Sequence, residues 1–211
     1  MFKSLLFLCG LTIAGSASAQ TTIDNSSDWN GWAGINTFSA SMTGLFGQSF
    51  TAPTDSHLAS YTTKFALFAG DAFDFKFSVA TWNPATKKIG SVLYTSSPVT
   101  TGTTEDGFVD FTFTPAVNLT PGLQYLAYAS TQGVANTTVG YATQAKATTN
   151  YAGGEFFYAW TNETSTWGTY NNSDTIFRAE FIETQAVPEP ASMAALGLGG
   201  LALLRRRRKS A

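Results

Sequence analysis

The 211-residue sequence predicts an all-β protein, a two-sheet antiparallel β-sandwich flanked by an N-terminal signal helix and a C-terminal transmembrane helix. Three observations predict it. Apolar and polar residues alternate with period two through the middle of the chain, and long helical periodicity is absent there. Clusters of Gly, Pro, Asn and Asp break the alternation at short intervals. Each end carries a short apolar stretch bounded by basic residues, the pattern of export and membrane-stop segments.

Residues 1–19 read as a signal peptide. Lys3 precedes an apolar run over 5–13, and the small residues after it end in Ala17-Ser18-Ala19. That order of positive, apolar and small-residue regions places cleavage between Ala19 and Gln20, with signal peptidase as the implied partner. The single Cys9 lies inside the apolar run behind Leu8, not behind the small residue a lipidation site needs. It leaves with the signal peptide, and the remaining chain has no cysteine. A disulfide framework, a Cys/His zinc site and a Cys-His nucleophile pair are thereby excluded.

Residues 20–183 form one domain of ordinary size. The clearest strand sets Phe73, Phe75, Phe77 and Val79 on one face and Asp74, Lys76, Ser78 and Ala80 on the other. Val109, Phe111 and Phe113 alternate with polar residues, as do Phe177, Ala179 and Phe181. Further strands are expected at 47–51, 58–68, 91–94, 124–130, 137–142 and 155–161. Eight or nine short strands with one apolar face each must pack face to face, about 10 Å apart. Burying each Phe contributes about 1.5–3 kcal/mol, so such a core holds without disulfides. The domain is acidic, with six basic against thirteen acidic residues between Gln20 and Ala186. Nucleic-acid binding needs the opposite balance and is excluded.

Candidate chemistry in this domain is sparse. His57 is the sole imidazole and sits beside Asp55 and Ser56 in a turn. Local adjacency does not make a triad, whose members converge from distant positions, and no Gly-x-Ser-x-Gly elbow exists. Glu105, Asp106, Asp110 and Glu155 are available carboxylates, but nothing in the sequence singles out a pair for glycoside hydrolysis. Calcium is the one ion suggested, since hard cations take carboxylate and carbonyl oxygens. Asp24, Asp28 and Asp174 are its candidate ligands, together if the terminal strands pair. Trp82, at a strand end, and Trp167, in a polar stretch, are the candidate glycan contacts, because an exposed indole stacks on the C–H face of a sugar.

Residues 184–190 form a linker ending in Val187-Pro188-Glu189-Pro190. Residues 191–204 are uncharged and apolar except for Ser192, and Arg205, Arg206, Arg207, Arg208 and Lys209 follow. A helix over 191–204 reaches about 21 Å, short of a hydrocarbon core of roughly 30 Å. The Arg cluster completes the span, holding residues 205–211 in the cytoplasm while its long side chains snorkel outward. The prolines keep the segment before the helix extended.

Pro-Glu-Pro, a short apolar helix and a closing Arg cluster together resemble the PEP-CTERM sorting signal. That resemblance implies export by the general secretory route, transient anchoring in the inner membrane and processing by an exosortase-type enzyme. It also implies a final place at the cell surface or outside it, usually beside exopolysaccharide. Residues 44–182 resemble a jelly-roll-like domain of exported bacterial proteins, through Gly47-Gln48-Ser49-Phe50 and Pro121-Gly122-Leu123-Gln124-Tyr125. No activity comes with that domain. The expected function is a non-enzymatic surface or matrix protein. A carbohydrate-binding module with a defined glycan site and a glycan-active hydrolase are the alternatives.

Overall fold

The computed structural model describes residues 20–71, 74–101, 106–134, 140–160, 162–170 and 173–183. The signal segment, the linker, the apolar helix and the basic tail lie outside the described residues, as does Phe73. Fourteen strands are described. They are β1 (Gln20–Asp24), β2 (Gly34–Phe38), β3 (Leu45–Thr51), β4 (His57–Leu67), β5 (Asp74–Asn83), β6 (Lys88–Thr95) and β7 (Val99–Thr100). They continue with β8 (Gly107–Phe113), β9 (Val117–Asn118), β10 (Gln124–Ser130), β11 (Ala142–Ala145), β12 (Phe156–Ala159), β13 (Gly168–Thr169) and β14 (Phe177–Ile182). One short 3-10 turn, Ser26–Asp28, follows β1, and no α-helix occurs among the described residues.

These strands make the expected two-sheet antiparallel sandwich. The first sheet runs β1-β14-β4-β11-β2, with β8 and β9 on the other edge of β4. The second runs β13-β12-β3-β10-β5-β6, and β7 pairs the start of β5. The alternating segments become strands where the sequence put them, and 124–130 coincides with β10. The strand expected at 137–142 differs. Here β11 occupies Ala142–Ala145, and 135–139 lie outside the described residues. The sequence pattern also missed β1. Its residues, Gln-Thr-Thr-Ile-Asp, carry one large apolar side chain, and the strand exists because β14 pairs it from Gln20↔Ile182 to Asp24↔Arg178.

The inner faces of both sheets meet in an aromatic core. Tyr61 stacks between Phe77 and Phe177 at 5.0 and 5.6 Å, and Phe77 stacks on Phe113 at 4.3 Å. Phe46, Phe50, Phe65, Phe75 and Phe156 are also buried there. Offset and edge contacts of this kind add about 0.5–1.5 kcal/mol per pair beyond area burial. Most polar groups inside this core are paired, with Gln144 Oε1 and Ser173 Oγ the exceptions. Gln48, on the inner face of β3, donates from Nε2 to Asp174 Oδ1 at 2.6 Å and accepts at Oε1 from the Thr175 amide at 2.8 Å. Asn25 donates to the Thr175 carbonyl and accepts from the Phe177 amide, both at 2.8 Å. Gln48 and Asn25 thus hold the backbone entering β14 between them. At Gly154 the chain crosses β3 so closely that a Cβ would overlap the Ser49 carbonyl, so only glycine fits.

Candidate functional site

Trp82 and Trp167 are not on the surface. They are only 7% and 1% exposed, and they build a second core on the outer face of the second sheet. The cause is the register. Leu45 on β3, Ala80 and Trp82 on β5, Leu126 and Tyr128 on β10, and Phe157 on β12 all point away from the sandwich interior and are apolar. Residues 162–167 fold over them. The Trp167 amide donates to the Lys87 carbonyl at 2.8 Å, its Nε1 donates to the Glu163 carbonyl at 3.0 Å, and the Tyr128 hydroxyl donates to Glu163 Oε2 at 3.2 Å. Trp167 meets Trp82 edge to face at 6.3 Å, and Trp82 lies 4.5 Å from Phe157. Neither indole leaves a ring face open to a sugar. Burial and the neighbouring Glu163 carboxylate together push the Tyr128 phenol well above its ordinary range, so it stays neutral.

Asp24, Asp28 and Asp174 do not converge. The terminal strands pair as the calcium idea required, but Asp24 faces outward, capping the Ser26 amide at 2.8 Å beside Arg178. Asp174 faces inward and is 1% exposed. Its two oxygens accept from Gln48 Nε2 and from the Tyr151 amide at 2.8 Å. Burial raises its pKa, opposed by those two hydrogen bonds and reinforced by the nearby Glu155. Among the described residues no group of three or more His, Cys, Asp or Glu side chains is placed to hold a metal ion.

Asp174 and Glu155 line a groove of about 320 Å³ with Ser49, Gln124, Asn150 and Phe157. Among the described residues it is one of two clefts that bring two carboxylates together, the other holding Asp24 and Asp110. Sequence reasoning missed this pairing, because the fold and not the spacing brings 155 and 174 together. Asp110 instead bonds Lys64 at 2.6 Å, and residues 102–105 lie outside the described set. His57 Nδ1 lies 2.6 Å from Asn118 Oδ1, across the β4–β9 pair, while Asp55 accepts from the Thr21 hydroxyl. No Ser-His-Asp constellation forms around it.

The outer face of the first sheet is largely open, apart from a small cluster of Ala145, Ala147 and Ile176 under Trp29 and Phe108. A cleft of about 450 Å³ there is lined by Asp24, Trp29, Thr62, Lys64, Asp110 and Arg178 among others. Its charges answer one another. Lys64 bonds Asp110, and Arg178 reaches Glu180 at 2.7 Å and Asp24 at 3.9 Å. The Lys64 ammonium also lies 5.3 Å over the Trp29 ring, which meets Phe108 edge to face and donates from Nε1 to the Ala33 carbonyl at 3.1 Å.

The described domain is therefore a cysteine-free antiparallel sandwich with one covered and one largely open outer face. The comparison that says where it goes concerns the end of the chain. The model of the PEP-CTERM protein-sorting motif matches residues 186–209, which takes in Val187-Pro188-Glu189-Pro190 and Arg205, Arg206, Arg207 and Arg208. The chain thus carries a sorting signal for export and for C-terminal processing by an exosortase-type enzyme. No curated protein and no solved structure matches the chain. Among the described residues no helix is long and apolar enough to cross a membrane, and the expected span at 191–204 lies outside them.

Proposed function

We propose that this is a non-enzymatic exported protein that ends at the cell surface or in the extracellular matrix and associates there with exopolysaccharide. The observation that carries the reading is the sorting motif at residues 186–209, directly behind a closed sandwich whose last described strand ends at Ile182. The first strand begins at Gln20, the residue expected to follow signal-peptidase cleavage, and Gln20 pairs with Ile182. Both expected processing events therefore fall outside the described strands β1 to β14. The carboxylates support the non-enzymatic reading. In the groove of Asp174 and Glu155, Asp174 is fixed by two protein donors and serves the packing of β14, and in the cleft of Asp24 and Asp110 each acid faces a basic partner, Arg178 or Lys64.

Mass spectrometry of the mature termini after cell fractionation tests the reading. The expected product begins at Gln20 and lacks the Arg run. Replacing Pro188-Glu189-Pro190 by three alanines is expected to leave that run attached. An unprocessed chain resident in the cytoplasm would overturn the reading. The hydrolase alternative rests on the shared groove and predicts polysaccharide turnover that Glu155→Gln abolishes. The non-enzymatic reading predicts no turnover by either form.

A further inference from the structure

We propose that the exported domain binds a neutral polysaccharide at a cleft built around Trp160, beyond the end of β12. The inference rests on the association with exopolysaccharide proposed above and names its site and ligand class. The cleft has a volume of about 380 Å³ and is lined by Tyr158, Trp160, Asn162, Ser165, Thr166 and Gly168, with Ala159 between the aromatics. None of these lining residues is charged.

Trp160 is 61% exposed, and its ring has no aromatic partner among the described residues. Its backbone is nevertheless fixed, because the Trp160 carbonyl accepts from the Gly44 amide at 2.9 Å at the entrance to β3. The indole is an open platform on a rigid stem. The opposite wall is equally fixed. Asn162 Oδ1 accepts from the Thr164 amide at 2.9 Å and from the Thr164 hydroxyl at 2.8 Å, and the Ser165 hydroxyl donates to the Asn162 carbonyl. Two residues further on, buried Trp167 staples this turn to the second core. The turn satisfies the acceptor of Asn162 and leaves its amide Nδ2 without a protein partner among the described residues. The Thr166 hydroxyl is equally unpartnered there.

A ring face, a free amide donor and the free Thr166 hydroxyl on a rigid frame match a pyranose, with its apolar C–H face and its ring of hydroxyls. The uncharged lining selects a neutral sugar over an anionic one, which would call for Lys or Arg. A protein partner fits less well. A stable protein interface needs about 800 Å² per side around apolar anchors, and here polar turn residues surround a single indole.

The test is affinity electrophoresis of the mature exported protein through gels containing neutral β-glucan, galactomannan or dextran, with alginate as the anionic comparison. One or more neutral gels are expected to retard the native protein, and alginate is not. Trp160→Ala is expected to weaken retardation about tenfold or more, the loss of one aromatic anchor, while Trp160→Phe keeps most of it. Asn162→Ala is expected to weaken it less than Trp160→Ala. Trp32→Ala is the surface control, since Trp32 is 76% exposed and lines none of the clefts described here. Equal retardation of native protein and Trp160→Ala would sink this site and leave the polysaccharide association standing. Retardation by alginate alone would also sink it, and retention by no polysaccharide would sink both. A dimer in sedimentation that Trp160→Ala converts to monomer would reassign the cleft to self-association.

Discussion

The outer faces of the two sheets present opposite surfaces. On the first sheet the outward residues of β4, β8 and β14 include Ser60, Thr62, Lys64, Asp110, Thr112, Arg178 and Glu180, beside the apolar Ala66, Phe108 and Ile182. The polar ones bond in pairs across strands, Ser60 to Glu180, Thr62 to Thr112 and Lys64 to Asp110. On the second sheet the outward residues are Leu45, Ala80, Trp82, Leu126, Tyr128 and Phe157, and a loop covers them. The difference teaches where the stability of a disulfide-free exported domain is concentrated. The middle strands of one sheet are buried on both sides and belong to two cores. The other sheet meets water over most of its outer face, where a small cluster of Ala145, Ala147 and Ile176 lies under Trp29 and Phe108 beside charge pairs that each contribute little. Changes to the covered face are therefore expected to cost most, those to the buried polar clamp an intermediate amount, and those to the open face least.

Trp167→Ala is expected to break the comparison most severely. It removes one of the two tryptophans of the second core and the staple that holds residues 162–167 against β5 and β10. Truncating a buried Trp costs about 3–5 kcal/mol. Urea unfolding should show that loss. Because the same loop forms one wall of the Trp160 cleft, the variant is also expected to lose polysaccharide retardation. A loss below about 1 kcal/mol would mean that the outer face of the second sheet is not a core.

Gln48→Leu comes next. The leucine is close in volume but leaves Asp174 without its Nε2 donor and the Thr175 amide without its acceptor. Unpartnered buried polar groups cost about 1–3 kcal/mol each, more for a charged one. The urea midpoint is expected to fall by a corresponding amount, with the sandwich still assembled. An unchanged midpoint would show that this clamp does not hold β14.

Much of this division was legible in the residues. Phe75, Phe77, Phe113 and Phe177 announced the inner faces by alternation, because a half-buried strand must alternate. The second core left a fainter trace. Residues 124–130 and 155–161 are apolar at consecutive positions, the mark of a strand covered on both sides. Trp167 misled because its neighbours are Thr, Ser and Gly, and sequence cannot show that a polar loop folds back over a sheet. Trp160 was not singled out, since it falls within the expected strand 155–161. It ends an apolar strand and yet emerges into solvent. Asp174 looked like a metal ligand until the fold turned it inward onto Gln48, 126 residues away in the chain. The sorting motif needed no fold at all, since its information is local and linear.

The buried clamp also carries a pH signature. Burial raises the pKa of Asp174 above its ordinary value of 3.8. The folded state therefore holds the proton more tightly than the unfolded chain. The stability this group contributes is fully present below pH 3.8 and is lost as pH rises through the raised native value. Asp174→Asn removes the titration and also sets an amide donor against the Gln48 or Tyr151 donor. The stability gap between native protein and Asp174→Asn is expected to be wider at pH 4 than at pH 7, measured as urea midpoints. A gap that widens toward neutrality would mean that the two hydrogen bonds outweigh burial and that the pKa is lowered.

The smallest effect is expected on the open face. Lys64 and Asp110 lie only 2.6 Å apart, but the Asp110 side chain is 57% exposed, so water and salt screen the pair. Its contribution is about 0–1 kcal/mol. Lys64 also covers Trp29 and keeps its own stem half-buried, so Lys64→Met preserves the packing and removes only the charge. Lys64→Met is expected to shift the urea midpoint by less than about 1 kcal/mol, and by still less at 1 M salt, where the native pair is already screened. A loss of several kcal/mol would contradict the contrast between the two faces. It would make the open face of the first sheet as much a part of the core as the covered face of the second.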